Sequence, residues 1–393
     1  MDYEKHNEEV RKVWEAFNQG NPFRVPIVFN MNPRFYLLTP WLNEEGYTFE
    51  QYIKDPEIML KVQLKFKKWV RLNVPQDMEM GYPKDNWGGV YVDLQNFYEA
   101  GWLGNNVVFP EGDVPYAAPL PREKLEEIIE AGIPHPLKDN WMGKGMEIFY
   151  YFKDRVKEMD FEGIPVGEMV YPPGAGTDGP FTVAAALMGA TELCLALYEK
   201  PDFVHKLLNF ITEATIVRIK AVWDLMGWSY PVQSWGYADD SIELISTQQY
   251  REFVLPYHRR LVETFSKGGP NAIHLCGKVQ RHLKTLKDEL NIMTFDLGFP
   301  TDLGLARKEL GPDVLLRGNL HPELLRSGSP EEIERETKRI CESGVMEGGK
   351  WIFCEGNNVA PNTPLQNFQA MYNAGKKYGR YNNGRYNKGD DSE

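Results

Sequence analysis

Short apolar runs alternate with longer stretches of helical period along most of the chain. The runs read as strands at Val25 to Met31, Gly89 to Leu94, Ile164 to Tyr171, Val232 to Tyr237, Ala272 to Cys276, Ile292 to Leu297, Val314 to Leu316 and Lys350 to Cys354. Helical periodicity fills Thr182 to Tyr198, Pro201 to Met226, Ser246 to Lys267, Val279 to Leu290 and Pro330 to Ser343. Two helix starts carry capping chemistry. Ser246 is followed three residues on by Gln249, the spacing of a capping box. Ser329 precedes Pro330 and two glutamates, which suit a first helical turn.

Strand then helix, repeated, predicts parallel strands with right-handed crossovers. From about residue 160 onward the unit recurs regularly, which predicts an α/β fold of the (β/α)₈ TIM-barrel type. A doubly wound sheet is disfavoured, because no strand is followed by a glycine-rich phosphate loop and Gly174-Ala175-Gly176 reads as a turn. Residues 1–375 are expected to form one barrel domain. Within it, 75–160 fits the repeat badly and is rich in aromatics, including Trp87, Tyr91, Tyr98, Trp102 and Trp141. It reads either as a surface elaboration with its own small core or as a cap giving aromatic walls to a pocket at the barrel mouth. The polar stretch 376–393 is expected to be a disordered tail.

Charge and composition narrow the function. Lys plus Arg number 44 against 56 Asp plus Glu, a net charge of −12, which argues against nucleic acid as a partner. The start has no apolar signal region, and no run is long enough to span a membrane. Four cysteines in 393 residues make no disulfide framework. The cytoplasm is the expected compartment. Cys194 and Cys341 read as buried small hydrophobes.

The chemistry gathers at strand ends. Alternation in Ala272-Ile273-His274-Leu275-Cys276-Gly277 puts His274 and Cys276 on one face, and imidazole with thiolate suits zinc. Cys354 and Glu355 end the last predicted strand. Alternation prevents both from pointing inward, and either is a candidate third ligand. Asp239 and Asp240 end the Val232 strand, where adjacent acids suit proton transfer, substrate orientation or support of a metal. Asp240 alternatively starts the next turn. Glu168, Asp296, Arg317, Asn319 and His321 complete a set of polar groups at several strand ends, the pattern of a barrel active site. Asp239, Asp240 and Asn319 are taken as catalytic candidates. Glu168, Trp235, Tyr237, Arg317 and His321 are taken as substrate contacts.

The segments GPFTVAAALMG from Gly179, YADDSIELISTQQYREFVLPYHRRL from Tyr237, HLCG from His274, TDLGLARKELGPDVLLRGNL from Thr301 and EGNNVAPNTPLQNFQAM from Glu355 resemble the uroporphyrinogen decarboxylase superfamily. Within it the chain is similar to the methyltransferase branch, the methylcobamide:coenzyme M methyltransferases and related corrinoid-dependent enzymes. The resemblance covers about 160–375, and the opening strand RVPIVFNMNPRFY only loosely. It implies a (β/α)₈ barrel with zinc at the mouth, working with a corrinoid-binding partner protein; the chain itself is expected to be a monomer or homodimer. In the thiol-methylating branch the ligands are a His-x-Cys pair, matched by His274 and Cys276, and a later cysteine. Counted back from Pro361-Asn362-Thr363-Pro364, that cysteine falls at Asn357, which is kept as a substrate contact. This leaves the third ligand between Cys354 and Glu355. It also leaves room for an enzyme that demethylates a substrate onto the corrinoid.

The decarboxylase proper is the alternative. Its opening motif carries two arginines, and the matching positions here are Met31 and Phe35. Arg34 is one residue out of step and remains a candidate substrate contact. A catalytically silent binding protein is a third reading. For the methyltransferase, a methoxylated aromatic is the expected donor and a methylated amine its competitor. Aromatic walls bind both, but a quaternary amine offers zinc no lone pair.

Overall fold

A computed structural model describes residues 2–381. Five parallel strands form its main sheet, in the order Gly236–Ala238, Asn271–Leu275, Ile292–Leu297, Leu315–Leu320 and Trp351–Glu355. Phe353 pairs on through a parallel bridge to Ile27. A second parallel pair joins Val90–Tyr91 to Val170–Tyr171. The element order and the helices packed outside the strands make this a TIM-barrel-like α/β fold.

Between the 25–29 segment and Val90–Tyr91, side chains replace the ladder. Asp77 Oδ2 accepts from Ile27 N at 2.7 Å, and Gln76 Oε1 accepts from Phe29 N at 2.9 Å. Gln63 both donates to Tyr91 O, at 2.7 Å, and accepts from Tyr91 N, at 3.2 Å. The buried Arg24 grips Asp77 through two nitrogens at 2.6 and 2.7 Å, and Tyr372 donates to the same carboxylate at 3.1 Å. Inside the sheet, Val28, Ile352 and Cys354 form a small core with Leu315 and with Trp14 and Phe17 of the N-terminal helix Tyr3–Asn18. The first helix therefore packs into the barrel interior.

The capping box expected at Ser246/Gln249 is present, and Ser329, which starts its helix as expected, forms one with Glu332. Each cap is worth on the order of 1 kcal/mol. The helix expected over 182–198 is two helices, Pro180–Met188 and Ala190–Glu199, bent by 105°. The break falls at Gly189, whose φ of +90° lies outside helical space. The strand expected from Val314 runs on to Leu320. Lys376 belongs to the last helix, Leu365–Tyr378, and pairs with Glu9 at 2.7 Å, so the tail begins later than expected. Residues 382–393 of that predicted tail lie outside the described residues. In the 75–160 region Trp87 and Trp102 are buried, and Phe97, Phe109 and Trp141 pack edge-on or tilted in a local core. Among its aromatics, Tyr82, Tyr91, Phe97, Tyr98 and Tyr116 reach cavities. Among the described residues no single helix is long and apolar enough to cross a membrane.

Candidate metal centre

The register of the main sheet lines up one row on its inner face: Ala238, His274, Asp296, Arg317 and Ile352. The neighbouring row, Tyr237, Ile273, Phe295, Leu316 and Trp351, faces the helices. This parity decides which predicted residues meet.

Asp240, His274 and Cys276 bring one ligand atom each to within 4.8 Å of one another. Cys276 Sγ lies 3.3 Å from His274 Nε2, and Asp240 Oδ1 lies 3.8 Å from the same nitrogen. The Cys276 backbone N–H donates to Asp240 Oδ1 at 2.7 Å, which ties the two loop starts together. On the other side of the ring, His274 Nδ1 faces Asp296 Oδ2 at 3.1 Å. A Cβ on Gly298 would come within 2.8 Å of Cys276 Sγ, so glycine there keeps the thiol's space clear.

The electrostatics favour a cation. Burial works against charge on His274, but hydrogen bonds to Asp296 and Cys276 and the charges of Cys276 and Asp240 override it and push the ring up to about 11. Burial raises Asp296, and the His274 hydrogen bond and charge bring it below its ordinary value. Burial raises both Cys276 and Asp240. Nitrogen, sulfur and oxygen donors in reach of one point, with a carboxylate holding the outer ring nitrogen, fit a three-ligand zinc site with an open position.

Several predicted residues lie elsewhere. Cys354 is fully buried in the interior cluster with Val28 and Ile352. Glu355 uses Oε1 to accept from Asn30 N at 2.9 Å, and burial pushes it up to about 8. Neither joins the cluster, and the third donor in reach is Asp240. Asp239 is fully buried and committed: it accepts from Phe181 N at 3.1 Å, Thr182 N at 2.8 Å and Thr182 Oγ1 at 2.7 Å, and faces His258 Nε2 at 2.8 Å. It fastens the N-terminus of the Pro180–Met188 helix rather than offering a free lone pair. Trp235 and Tyr237 stack on each other at 5.2 Å, with Trp235 on Phe265, in the helix layer. Glu168 is exposed and precedes the Val170–Tyr171 strand, at the end away from the mouth.

The rest line the mouth or its supports. Asn319 is buried and donates to the carbonyls of Gly298, at 3.3 Å, and Thr301, at 2.6 Å, so it holds the turn beside Cys276. His321 caps the helix Pro322–Ser327 and lies 3.9 Å, centre to centre, from the Phe299 ring. Asn357 is exposed and accepts from Asn358. Arg34 donates to the amide oxygens of Gln95 and Asn96 and borders two cavities of about 410 and 510 Å³. Sequence reasoning missed Asp178, which lines the larger of these. Burial, then the charges of Glu99 and Asp240, push its carboxyl up to about 7. Its only signal in the sequence is an acid in the turn before Pro180. The buried Glu99–Arg218 pair, which holds the loop 174–178, gives no signal at all.

A parallel sheet with a mixed-donor cluster at its carboxyl ends gives a TIM-barrel-like fold with a candidate metal site at the strand ends. The chain belongs to the uroporphyrinogen decarboxylase (URO-D) family, whose sequence profile matches residues 90–378. Its relatives include a methylated-thiol–coenzyme M methyltransferase of Methanosarcina mazei, 28% identical over 202 residues, 50% of this chain and 51% of that one. A uroporphyrinogen decarboxylase of Syntrophotalea carbinolica is 30% identical over 195 residues, 48% and 54% of the two chains. A methylcobamide:CoM methyltransferase of Methanosarcina mazei is 26% identical over 206 residues, 51% and 56%. The chain spans about half the length of the curated relatives it matches. A solved methyltransferase from Methanosarcina mazei superposes with a TM-score of 0.63 over 94% of this chain and 98% of its own, at 18% identity, which establishes the likeness of fold.

Proposed function

We propose that the protein is a zinc-dependent methyltransferase that moves a methyl group between a small methylated molecule and a corrinoid carried by a partner protein. A methoxylated aromatic is the favoured donor. The observation that carries this reading is the convergence of Asp240, His274 and Cys276 with Asp296 behind the ring. The names of two relatives, methyltransferases of methylated thiols and of methylcobamide, support the reaction class.

Asp240, His274 Nε2 and Cys276 Sγ would hold the ion. A bound zinc ion supplies Lewis acidity to the leaving oxygen or sulfur. With an ion bound, Asp296 would hold the ring proton on Nδ1 and leave the Nε2 lone pair to the ion. Asn319 fixes the turn that gives Cys276 its space. Arg34 borders the mouth cavities as a substrate contact, and Asp178 holds a proton at its carboxyl near neutral pH.

Metal analysis of zinc-replete wild type beside Asp240→Ala, His274→Ala and Cys276→Ala tests the centre. One equivalent in wild type and strong loss in each variant is the expected result, and a metal-free wild type would end the reading. Methoxylated aromatics, methylamines, methanol and methyl thiols, each added with a reduced corrinoid protein, then test the donor through conversion of cobalt(I) to methyl-cobalt(III). Reaction of methylamines alone, with the His274 variant still active, would overturn the donor and the role given to zinc. The competing reading, a cofactor-free decarboxylase, is supported by the decarboxylases among the relatives. Conversion of uroporphyrinogen to coproporphyrinogen without metal would decide for it.

A further inference from the structure

A cavity of about 750 Å³ lies between the 25–31 segment, the helix Pro56–Asn73 and Tyr91. Three cations line it, Lys67, Arg71 and Arg317, against one carboxylate, Glu79. Two of the three have a charged counterpart. Arg71 faces Glu79 at 3.6 Å and donates to Gly81 O at 2.8 Å. The charge of Asp296 acts on Arg317, which also donates to Asn30 Oδ1 at 3.1 Å. Lys67 differs. Its Nζ donates to Gly89 O at 2.8 Å, and among the described residues no carboxylate oxygen lies within 4.0 Å of it.

Lys67 and Arg71 stand four residues apart on one helix, so their side chains are neighbours on one face, and like charges at that spacing repel. Burial, then the Arg71 charge, lowers the Lys67 amine from 10.5 to about 8. At pH 8 about half of it is uncharged, against about 0.3% of an ordinary lysine. A neutral lysine is a nucleophile. Gly89 O takes one N–H and leaves the nitrogen lone pair unengaged.

We propose that Lys67 is a carbamylation site: its amine captures dissolved carbon dioxide, and the carbamate formed pairs with Arg71. The Nζ lone pair bonds to the carbon of carbon dioxide, one carbon–oxygen π pair moves onto oxygen, and the nitrogen releases a proton to solvent. Counted from the ammonium, two protons leave and nothing is oxidised or reduced. The side chain passes from a positive to a negative charge. The lining then holds two cations and two anions, so the charges that disfavour the ammonium favour the product. Arg71 spends Nε on Gly81 O and one terminal nitrogen on Glu79. The other terminal nitrogen can meet a carbamate oxygen in a charge-assisted contact. The proposal is independent of the methyl-transfer reading.

The test uses the full chain in isotopically labelled bicarbonate at a fixed level of dissolved carbon dioxide. Triethyloxonium then converts any carbamate to a stable ethyl ester, and peptide mass spectrometry locates it. The adduct on Lys67 is expected at least about tenfold above that on any other lysine, as its larger neutral fraction requires, and it should increase from pH 7 to pH 9. Arg71→Gln should cut it by about fivefold or more, because the amine regains its proton and the carbamate loses its partner. Arg71→Lys, which keeps the charge, should label more than Arg71→Gln. Wild type alone decides the site: no adduct on Lys67, or one no greater than on exposed lysines, overturns the proposal. An adduct of equal yield in wild type and both Arg71 variants overturns the pairing with Arg71.

Discussion

From Gly236 to Glu355 the barrel wall is a continuous ladder of five parallel strands. Opposite it, Val90–Tyr91 and Val170–Tyr171 pair over two residues, and Gln63, Gln76 and Asp77 stand in for a neighbouring backbone. The metal-type cluster sits on the first side, and a cavity of about 750 Å³ opens between the second and the strands that carry Arg317 and Ile352. Ligands to an ion need placement within about half an ångström, which regular elements supply. A wall of side-chain bridges leaves room for a cavity, and its stability rests on a few buried polar pairs. The contrast is open to test at four positions.

The largest effect is expected on the irregular side. Glu99→Ala strands the buried Arg218, and breaking a buried pair costs about 3–5 kcal/mol, read as a shift in denaturant midpoint. A loss below about 1 kcal/mol, the value of an exposed pair, would mean that the carbonyls of Gly174 and Gly176 suffice and that the two sides differ less than their bonding suggests.

Glu355 probes the regular side through pH. Burial lifts its folded value from an ordinary 4.5 to about 8, so between those limits the folded protein binds the extra proton. Stability should therefore fall as pH rises through that window. Glu355→Gln should remove this dependence and exceed wild type above pH 8 by about 1–3 kcal/mol, the range for a buried unsatisfied polar group. Identical melting curves for the two proteins at pH 9 would disprove it.

Asp296→Asn should leave the ladder intact and weaken metal binding about 10–100-fold, the usual cost of losing a carboxylate behind a ligating histidine. Competition with a chromophoric chelator measures this. Unchanged affinity would show that His274 needs no support. Smallest of all, Glu168→Ala should change stability by no more than about 0.5 kcal/mol and leave metal content as it was. A clear loss of metal would return Glu168 to the site.

The regular side was largely legible from residue patterns. Alternation paired His274 with Cys276, and the strand-end acids included Asp240. Parity alone could not say which face of a strand buried on both sides looks inward, and so Trp235 and Tyr237 were placed in the pocket when they belong to the helix layer. Cys354 does share the inner face, but its depth follows from packing against Trp14 and Phe17, which no local pattern records. Asp239 and Asp240 are neighbours of one type. Their difference arises from a distant helix whose N-terminus captures one of them. Asp178, Glu99 and His258 acquire meaning only through partners remote in sequence.

The partners of the 25–29 segment have a consequence for synthesis. Val25 N donates to Gly379 O, Val28 and Pro26 bond to Phe353, and Asp77 waits for Tyr372. The ribosome therefore releases the first barrel segment long before its last neighbours exist. Until then its backbone N–H and C=O groups stay unpaired beside apolar side chains, the kind of edge that invites wrong pairing and chaperone capture. The 25–29 segment can find its last partner only after Gly379 has left the ribosome.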